Sequence, residues 1–275
     1  MRFLVTGAQG FLGERVVNAL RTKGVAVTPT GKRPENGVIC CDLAMAEDAA
    51  RMVAQVSPDR IVHCAAHVPK TREEYGDDNS AQASLCMLDT VLAASACPLV
   101  YVSSMTVYGA GRDRPVAEED AGDPSSAYGN GKWQGEKHLM ADGRASLAVR
   151  IPGLFGPSRR DGLVYNVVYA AKHGEAPQLP TVPVLWAAMH VDDAAESIAT
   201  LAMSQITGFE AVNVGYRGTY SIKELVSAAY NVYGRHTDYT AYQPNFEFDL
   251  SCAERHGAVP AGDFREALAK FGDQI

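Results

Sequence analysis

The stretch MRFLVTGAQGFLG, residues 1–13, decides the fold of this chain. Its apolar run at residues 3–5 predicts a buried strand, and glycines follow at positions 7, 10 and 13. Apolar residues then recur with helical spacing over residues 11–20, so the strand turns directly into a helix. The first turn of a helix has unpaired N–H groups at the positive end of its dipole. The sequence therefore predicts a strand–turn–helix unit that binds a phosphate group.

Each glycine of the triplet has its own steric role in such a unit. Gly7 permits the tight turn, Gly10 lets the backbone approach a pyrophosphate, and Gly13 lets the helix pack close to the strand. A glycine triplet alone is weak evidence, but this one lies between a strand and an amphipathic helix. We therefore expect a dinucleotide to bind at this turn, with Phe11 and Leu12 among its contacts.

The composition is that of an ordinary globular protein. The 275 residues are 47% hydrophobic and 21% charged, and the net charge of -7 argues against a nucleic-acid partner. No stretch approaches the ~20 apolar residues of a membrane-spanning helix, and the amino terminus does not resemble a signal peptide. We expect a cytoplasmic protein with a small-molecule substrate and no membrane partner.

The cysteines give no sign of a disulfide or a metal site. The six of them form no Cys-x-x-Cys pair and no Cys/His ligand spacing. Cys40 and Cys41 are adjacent on a predicted strand, so their side chains would point to opposite faces of a sheet. We expect reduced thiols and no metal ion.

Strand and helix patterns alternate along the first 150 residues. The predicted strands after the first are residues 25–27, 38–41, 60–66, 99–102 and 147–150, with a further core strand at 211–214. The predicted helices after the first are residues 47–55, 79–96, 128–141 and 221–233. This alternation predicts an α/β fold, a Rossmann-type doubly wound parallel sheet.

A break in this pattern after Pro152 predicts a small C-terminal substrate-binding lobe. Prolines and glycines interrupt residues 153–187, where no strand–helix alternation continues. We assign residues 1–152 to the dinucleotide-binding domain, with a return strand near 188–215. The substrate-binding lobe then comprises residues 153–187 and 216–275.

The residues after the second strand indicate which dinucleotide binds. NAD-binding proteins place an acidic residue about 20 residues past the glycines to hold the ribose hydroxyls, and residues 30–33 contain none. Lys32 and Arg33 would instead meet a 2′-phosphate, which favours NADP. In the alternative, this pair is a solvated turn and Glu35 reaches the ribose of NAD. Asp42 either accepts a hydrogen bond from the adenine amine or is a turn residue.

Three further residues have the spacing needed for proton transfer. Tyr128 and Lys132 lie four residues apart, hence on one face of a helix. A tyrosine titrates near ~10, and a nearby ammonium group would lower that pKa. Ser104 follows the strand at 99–102, at the sheet edge where doubly wound folds gather their sites. Its hydroxyl can hydrogen-bond the substrate oxygen that gains or loses a proton.

Together these motifs resemble the extended short-chain dehydrogenase/reductase family, of the epimerase/dehydratase type. The matching segments are TGAQGFLG at 6–13, DL at 42–43, HCAA at 63–66, SSMTVYG at 103–109, YGNGK at 128–132, RIPGLFGP at 150–157, HVDD at 190–193 and NVG at 213–215. The resemblance implies Ser104 as the polarising hydroxyl, Tyr128 as proton donor or acceptor and Lys132 on the nicotinamide ribose. The further cofactor contacts that it implies are Leu43, Ala65, Ala66, Asn79 and Pro152.

The chain departs from this family where nucleotide sugars are bound or dehydrated. Sugar-nucleotide 4,6-dehydratases have an Asp-Glu pair where Met105 and Thr106 stand here, so water elimination is not expected. Many members have an asparagine at Gly153 and an arginine at Trp186, where they hold the diphosphate. We expect these four positions to face the substrate, and Trp186 either stacks on a ring or fills the lobe.

The sequence thus predicts an NADP(H)-dependent oxidoreductase. Its substrate would be a carbonyl or alcohol on a small sugar-like or polyhydroxylated molecule, with Arg159 and Arg160 as an anion contact or as solvated surface. The alternatives are an NAD(P)-dependent sugar or nucleotide-sugar epimerase and a non-catalytic NADP-binding sensor. The apolar face of residues 82–96 either pairs with the Tyr128 helix across a homodimer or is buried within the subunit.

Overall fold

The structure is a computed structural model that describes residues 1–109, 113–237 and 243–275. Strands and helices alternate through the first 150 of these residues. The strands are β1 (Arg2–Thr6), β2 (Ala26–Gly31), β3 (Ile39–Cys40), β4 (Arg60–His63), β5 (Leu99–Ser104), β6 (Ser146–Ile151), β7 (Gly153–Phe155), β8 (Ala188–His190) and β9 (Phe209–Asn213). The helices are α1 (Gly13–Thr22), α2 (Ala46–Val56), α3 (Asp78–Ala94), α4 (Ala127–Asp142), α5 (Gly162–His173), α6 (Val191–Met203), α7 (Ile222–Val232), α8 (Ser251–Arg255) and α9 (Phe264–Gly272).

Seven strands form one parallel sheet in the order β3-β2-β1-β4-β5-β6-β9. The order reverses at β1, as in a doubly wound fold, so the predicted fold class is confirmed. Ligands of such sheets bind outside the carboxyl ends of the strands, at the crevice where the order reverses. β7 and β8 form a separate two-stranded parallel sheet.

Alternation of side chains along β1 divides the core into two layers. Phe3 and Val5 point into one cluster with Val16 and Leu20 of α1, and all four are buried. Leu4 points to the opposite face, into the cluster that the apolar sides of α2, α3 and α4 cover. A strand that is buried on both faces consists of consecutive apolar residues, and this pattern at residues 3–5 predicted β1 from the sequence.

Several strand boundaries differ from the sequence prediction, among them that of β4, which ends at His63 rather than at residue 66. The second strand does not end at residue 27 but continues to Gly31 through Pro29, which pairs with Val5 of β1. Proline is tolerated there because the short β3 begins to pair only at Thr30, so the missing N–H has no partner to lose. β5 likewise extends through Ser104, so this residue is the last of the strand rather than the first of the loop.

The region after Pro152 is more regular than the sequence suggested. It contains β7, β8 and α5, and its aromatic side chains pack edge to face around Phe155 and Phe264. α6, which we had not predicted, packs against α1 through the ion pairs Lys23–Glu196 and Arg15–Asp192, at 2.8 and 3.1 Å. β8 pairs with β7 and lies outside the main sheet. Within the predicted return region near 188–215, it is β9 that pairs with β6 of the main sheet. The division into two domains stays a prediction.

α3 and α4 pack on one another within the subunit. Gly131 and Gly135 of α4 face Ala81 and Leu88 of α3 so closely that a Cβ atom would lie about 3.1 Å from either side chain. This favours burial of the apolar α3 face within the subunit, and a homodimer stays a prediction. In the part of the chain that the structure describes, no helix combines the length and apolarity needed to cross a bilayer.

Candidate active site

The glycine turn has the shape expected for a pyrophosphate cradle. Gly7 has a φ of +65°, and a Cβ there would lie 2.7 Å from the backbone of Ala65. A Cβ at Gly13 would lie 2.2 Å from the carbonyl oxygen of Gly7, so α1 approaches the turn as closely as glycine allows. Gly10 is exposed, and among the described residues its Cβ would meet only the Gly7 oxygen, at 3.2 Å. The free side of the turn fits a dinucleotide backbone that lies against it.

Gln9, which the sequence analysis did not single out, fixes the chain beside this turn. Its Oε1 accepts a hydrogen bond from the Arg33 N–H at 3.0 Å, and its Nε2 donates to the Arg33 carbonyl at 2.9 Å. The same Nε2 donates to the Glu35 carboxylate at 2.8 Å. The Gln9 side chain crosses Gly31, where a Cβ would clash with it at 2.2 Å. The carboxylate that the NAD alternative assigns to the ribose is therefore already hydrogen-bonded.

The two cations predicted to contact a 2′-phosphate differ in their surroundings. The Arg33 guanidinium donates to the Gln9 carbonyl at 3.3 Å, which keeps it beside the glycine turn. Lys32 forms an exposed ion pair with Asp42 at 2.9 Å. A hydrogen bond from Lys32, with another from the Ala44 N–H, lowers the pKa of the Asp42 carboxyl below its usual value. Asp42 thus forms the hydrogen bond of a turn residue, and its contact with the adenine amine stays a prediction.

Ser104 and Tyr128 come together at the carboxyl end of β5. The Ser104 hydroxyl caps the 3₁₀ turn at residues 105–108 by accepting from the Thr106 N–H at 3.2 Å, and the Thr106 hydroxyl lies 3.0 Å away. α4 begins against this turn because Gly129 has no side chain. A Cβ there would lie 2.6 Å from the Thr106 carbonyl oxygen. The glycine after Tyr128, unfavourable for a helix by propensity, is therefore needed for the approach of α4 to Ser104.

The phenol of Tyr128 is protonated at neutral pH. Burial raises its pKa above the ordinary value, with Tyr75 adding to the rise, while Ser104 and Arg159 act in the opposite direction. The ring of Tyr75 meets that of Tyr128 edge to face, with centroids 5.6 Å apart. The lowering by Lys132 that we expected is not seen, since its Nζ lies 5.8 Å from the Tyr128 ring centroid.

Lys132 is directed into the protein rather than to the phenol oxygen. Its side chain is buried, and its Nζ donates to the Val102 carbonyl at 2.8 Å and lies 4.9 Å from the centroid of the Tyr101 ring. Burial lowers the pKa of Lys132 to about 8, against the opposing effects of Cys64 and Glu136. Because burial disfavours the charged ammonium, an anionic or hydroxyl-rich ligand nearby would raise the pKa of Lys132 and favour the charged form.

Behind this helix lies a buried polar network that the sequence analysis missed. Glu136, one turn beyond Lys132, pairs with Arg150 of β6 at 2.6 Å, and both side chains are at most 2% exposed. Glu136 also accepts from the Ser103 hydroxyl, next to Ser104. Arg150 donates to the Tyr108 hydroxyl at 2.9 Å. The four-residue spacing from Tyr128 through Lys132 to Glu136 was the available signal, because it puts all three on one helix face.

Tyr108 and Asn213 continue this network across the sheet. The Tyr108 hydroxyl donates to Asn213 Oδ1, and Asn213 Nδ2 donates to the Val116 and Asp249 carbonyls at 2.9 and 3.2 Å. Arg150 further donates to the Glu118 carbonyl at 2.6 Å. The network thus ties α4 and β5 to β9 and to the segment before α8.

His63 lies between the glycine turn and α4. Its Nδ1 is 3.0 Å from the hydroxyl of Thr6, the residue before Gly7. The ring is 1% exposed, and its Nε2 has no hydrogen-bond partner within the described ranges 1–109, 113–237 and 243–275. Burial, with the charge of Lys132, lowers the pKa of His63 to about 3. His63 is therefore a neutral imidazole in the folded protein.

The other predicted cofactor contacts are distributed around the two motifs. Ala65 and Ala66 are half-buried just after β4, against the glycine turn, and Asn79 is exposed in the first turn of α3. Leu43 packs in the core, and Pro152 is buried between β6 and β7. Phe11 and Leu12 are half-buried within the turn. Their contacts with a dinucleotide stay predictions.

The predicted substrate residues separate into two groups. Met105 is buried in the core, and the partly buried Trp186 packs edge to face on Tyr220 and Phe264, with centroids 6.3 and 5.7 Å apart. This packing favours the lobe-filling alternative, and a contact of Trp186 with substrate stays a prediction. Thr106 remains beside Ser104, and Gly153 is exposed on β7.

Arg159 lies near both the glycine turn and Tyr128. Its guanidinium lies 5.8 Å from the centroid of the Phe11 ring in the glycine turn, and its charge lowers the pKa of Tyr128. Asp161 accepts from its Nε at 2.5 Å. Arg159 therefore lies near both the Phe11 ring and the Tyr128 phenol, while Arg160 is exposed.

Comparisons with known proteins identify the family of this chain. Residues 1–209 match the model of the RmlD substrate binding domain family. The β subunit of methionine adenosyltransferase 2 from Danio rerio is 32% identical over 158 residues, 56% of this chain and 48% of that protein. UDP-glucose 4-epimerase from Azospirillum brasilense is 27% identical over 85% of this chain and 78% of its own length. The chain spans about half the length of the first curated relatives that it matches.

Solved structures share the whole fold. UDP-glucose 4-epimerase of Thermus thermophilus, solved in complex with NAD, superposes with a TM-score of 0.83. The match covers 100% of this chain and 98% of that one at 22% identity. This likeness shows that the Rossmann-type sheet and the C-terminal lobe follow one common architecture.

Proposed function

The chain belongs to the RmlD substrate binding domain family, of the extended short-chain dehydrogenase/reductase type that its motifs predicted, and from this premise we propose that it is an NADP(H)-dependent oxidoreductase. It moves a hydride between the nicotinamide and a carbonyl or carbinol carbon of a small sugar-like or polyhydroxylated substrate. The superfamily comprises NAD(P)-dependent oxidoreductases and epimerases, so the nicotinamide cofactor follows from membership.

The observation that carries the proposal is the meeting of Ser104 and Tyr128 beside the glycine turn. Both lie at the carboxyl edge of the sheet, and Arg159 lies near both the phenol and Phe11 of the turn. A nicotinamide ring bound there supplies or accepts the hydride. Ser104 holds the substrate oxygen by a hydrogen bond, and Tyr128 gives that oxygen a proton or takes one from it.

The protonated state of Tyr128 supports the reducing direction. The phenol carries its proton at neutral pH and can therefore donate it to a substrate oxygen, and burial, which raises its pKa, keeps it in this form. In carbonyl reduction the carbon gains the hydride while the oxygen gains the proton from the Tyr128 hydroxyl. Lys132, one helical turn away, donates to the Val102 carbonyl rather than to the phenol, and its ammonium would hold the nicotinamide ribose when the cofactor is bound.

The preference for NADP rests on Arg33. Its guanidinium is held at the glycine turn by the Gln9 carbonyl, whereas Glu35 is occupied by the Gln9 amide. A planar guanidinium can bind a 2′-phosphate bidentately. Lys32 contributes less, since Asp42 already neutralises its charge.

Purified protein tests the activity through NADPH oxidation with a panel of aldehydes and ketones that carry neighbouring hydroxyl groups. We expect Tyr128→Phe to lower kcat/KM by about 10²–10⁴-fold, the usual contribution of general acid–base catalysis, because the phenol hydroxyl is lost. NADPH binding and the circular dichroism spectrum should be retained. Unchanged turnover in this variant would refute the assignment of the phenol.

The epimerase remains the first alternative, favoured by the match to UDP-glucose 4-epimerase over 85% of this chain. An epimerase interconverts two sugar isomers without net consumption of NADPH. UDP-glucose or a simple sugar is incubated with the enzyme and a catalytic amount of cofactor, and the sugar isomers are then separated. Formation of a second isomer without net consumption of NADPH would identify an epimerase.

The non-catalytic NADP-binding sensor is a second alternative, because the chain also matches a protein named as a subunit of methionine adenosyltransferase 2. In that case NADPH would bind and raise the Tm, and no turnover would be measured. Tyr128→Phe would leave the biological role unchanged.

A further inference from the structure

A second cluster of chemically active side chains lies at the far edge of the sheet. Glu210 is on β9, the outermost strand, while Cys252 lies on α8 and His256 directly follows that helix. Glu210 is paired in register with Leu147 of β6, at the level of Val100 in β5. The catalytic hydroxyl of Ser104 lies four residues further along β5, so this cluster is separate from the cofactor cleft.

The three side chains converge on one point. Cys252 Sγ lies 3.1 Å from Glu210 Oε1, and His256 Nε2 lies 3.0 Å from Glu210 Oε2. All three ligand atoms lie within 4.8 Å of one another. Zinc bonds of about 2.0–2.3 Å in tetrahedral geometry separate neighbouring donor atoms by roughly 3.3–3.7 Å. The two separations from Glu210 lie just below that range and no pair of donor atoms is more than 4.8 Å apart, so small side-chain movements bring all three donors onto one ion.

The sequence spacing supports a preformed ligand pair. Cys252 and His256 are four residues apart, which places their side chains on the same face of a helical turn. The prediction of no Cys/His ligand spacing overlooked this pair. Sulfur, imidazole nitrogen and carboxylate oxygen are the three donor types that zinc accepts in proteins.

The three side chains are accessible to an ion from solvent. Cys252 is buried, but the side chains of His256 and Glu210 are 17% and 37% exposed, so an ion can enter from their side. Arg255 pairs with Glu210 at 3.2 Å and competes with a metal for that carboxylate. Its side chain is 64% exposed and can turn into solvent when the carboxylate binds an ion.

We propose that Glu210, Cys252 and His256 form a three-ligand site for a divalent ion of the zinc class, with a water molecule as fourth ligand. The ion would fasten α8 to the edge strand. This site is independent of the proposed reductase activity, since its residues lie at the edge of the sheet, away from the cofactor cleft.

Cobalt(II) is the spectroscopic probe for this site in the full-length protein, purified with a chelator and under reducing conditions. We expect one equivalent of cobalt to give a sulfur-to-metal charge-transfer band and the visible bands of a tetrahedral centre, both displaced by zinc. In Cys252→Ser the charge-transfer band should disappear. In Cys86→Ser, which changes an exposed thiol outside the cluster, the spectrum should remain.

Two partly exposed positions keep the test valid if Cys252→Ser is poorly folded. Glu210→Gln should weaken zinc binding at least tenfold in competition with a chromophoric chelator, while Arg255→Ala should strengthen it by freeing the carboxylate. Zinc should raise the Tm of the wild type but not of Glu210→Gln. A cobalt spectrum without a sulfur band, or zinc binding that Glu210→Gln leaves unchanged, would overturn the proposal.

Discussion

The glycine turn and the polar network behind α4 both fix groups at the carboxyl edge of the sheet, but they do so through different interactions. At the turn, the backbone of Gly7 lies against Ala65, and Gly13 against Gly7, too closely for a side chain, while the nearby Lys32 side chain is 76% exposed. In the network, Arg150, Glu136 and Asn213 are at most 1% exposed and join residues up to 105 positions apart. The first region is shaped by backbone sterics and the second by buried charge.

This difference predicts how each region responds to substitution. A glycine turn fails locally, because a new Cβ collides with backbone that cannot move. A buried ion pair fails globally, because removal of one partner leaves the other charge without compensation in the core. Substitutions in the network should therefore cost the most stability, and those at the exposed end of the turn the least.

The largest effect is expected for Arg150→Met. Loss of the guanidinium leaves the Glu136 carboxylate buried and unpaired, which should lower the free energy of unfolding by about 3–5 kcal/mol. Urea denaturation measures this value. The double variant Arg150→Met with Glu136→Leu should recover part of the loss, since it removes both charges. A double variant as unstable as Arg150→Met would show that the charge pair is not the cause.

Gly13→Ala is expected to act next most strongly. Its Cβ would stand 2.2 Å from the Gly7 carbonyl oxygen, so α1 must move away from the turn. Overpacking of this kind costs about 1–3 kcal/mol, and NADPH affinity should fall because the amides of the first helical turn move with it. Gly76→Ala is the matched control, since no atom of the described residues lies within 4 Å of a Cβ there. Equal losses in both variants would contradict the steric explanation.

His63 joins the two regions and makes stability depend on pH. Its pKa is about 3 in the folded protein and near 6.5 in the unfolded chain, so between these values the unfolded chain binds the extra proton. The contribution of His63 is complete above pH 6.5, and about 1.4 kcal/mol is lost for each unit by which the pH falls below it. In His63→Asn the decline in unfolding free energy between pH 6.5 and 4 should be shallower than in wild type. His67→Gln, which changes an exposed histidine, should keep the wild-type slope.

The smallest effect is expected at the exposed end of the cofactor site. Arg33→Ala should weaken NADP binding by about tenfold, or about 1.4 kcal/mol. NAD binding should change little because NAD lacks the 2′-phosphate. Lys32→Ala should weaken NADP binding less than Arg33→Ala does, since Asp42 already pairs with Lys32. Fluorescence titration with both dinucleotides measures these affinities, and equal losses for NAD and NADP in Arg33→Ala would refute the assignment.

The alternation of strands and helices and the glycine turn could be predicted from the sequence, and Ser104, Tyr128 and Lys132 were predicted as residues of the site. Apolar runs, helical spacing and the steric demands of Gly7 and Gly13 are local properties, so they can be recognised without knowing what packs against them. Ser104, Tyr128 and Lys132 were predicted for the same reason: each stands at a fixed place relative to a strand end or a helix face.

Contacts between side chains from distant parts of the chain could not be predicted from the sequence and became visible in the folded structure. Gln9 with Glu35, Glu136 with Arg150, and Glu210 with Cys252 are pairs that no periodicity marks. The same holds for Trp186, whose place inside the lobe depends on Tyr220 and Phe264. Side-chain pairing across the sheet depends on strand order and helix packing, and a linear pattern carries information only about neighbours along the chain.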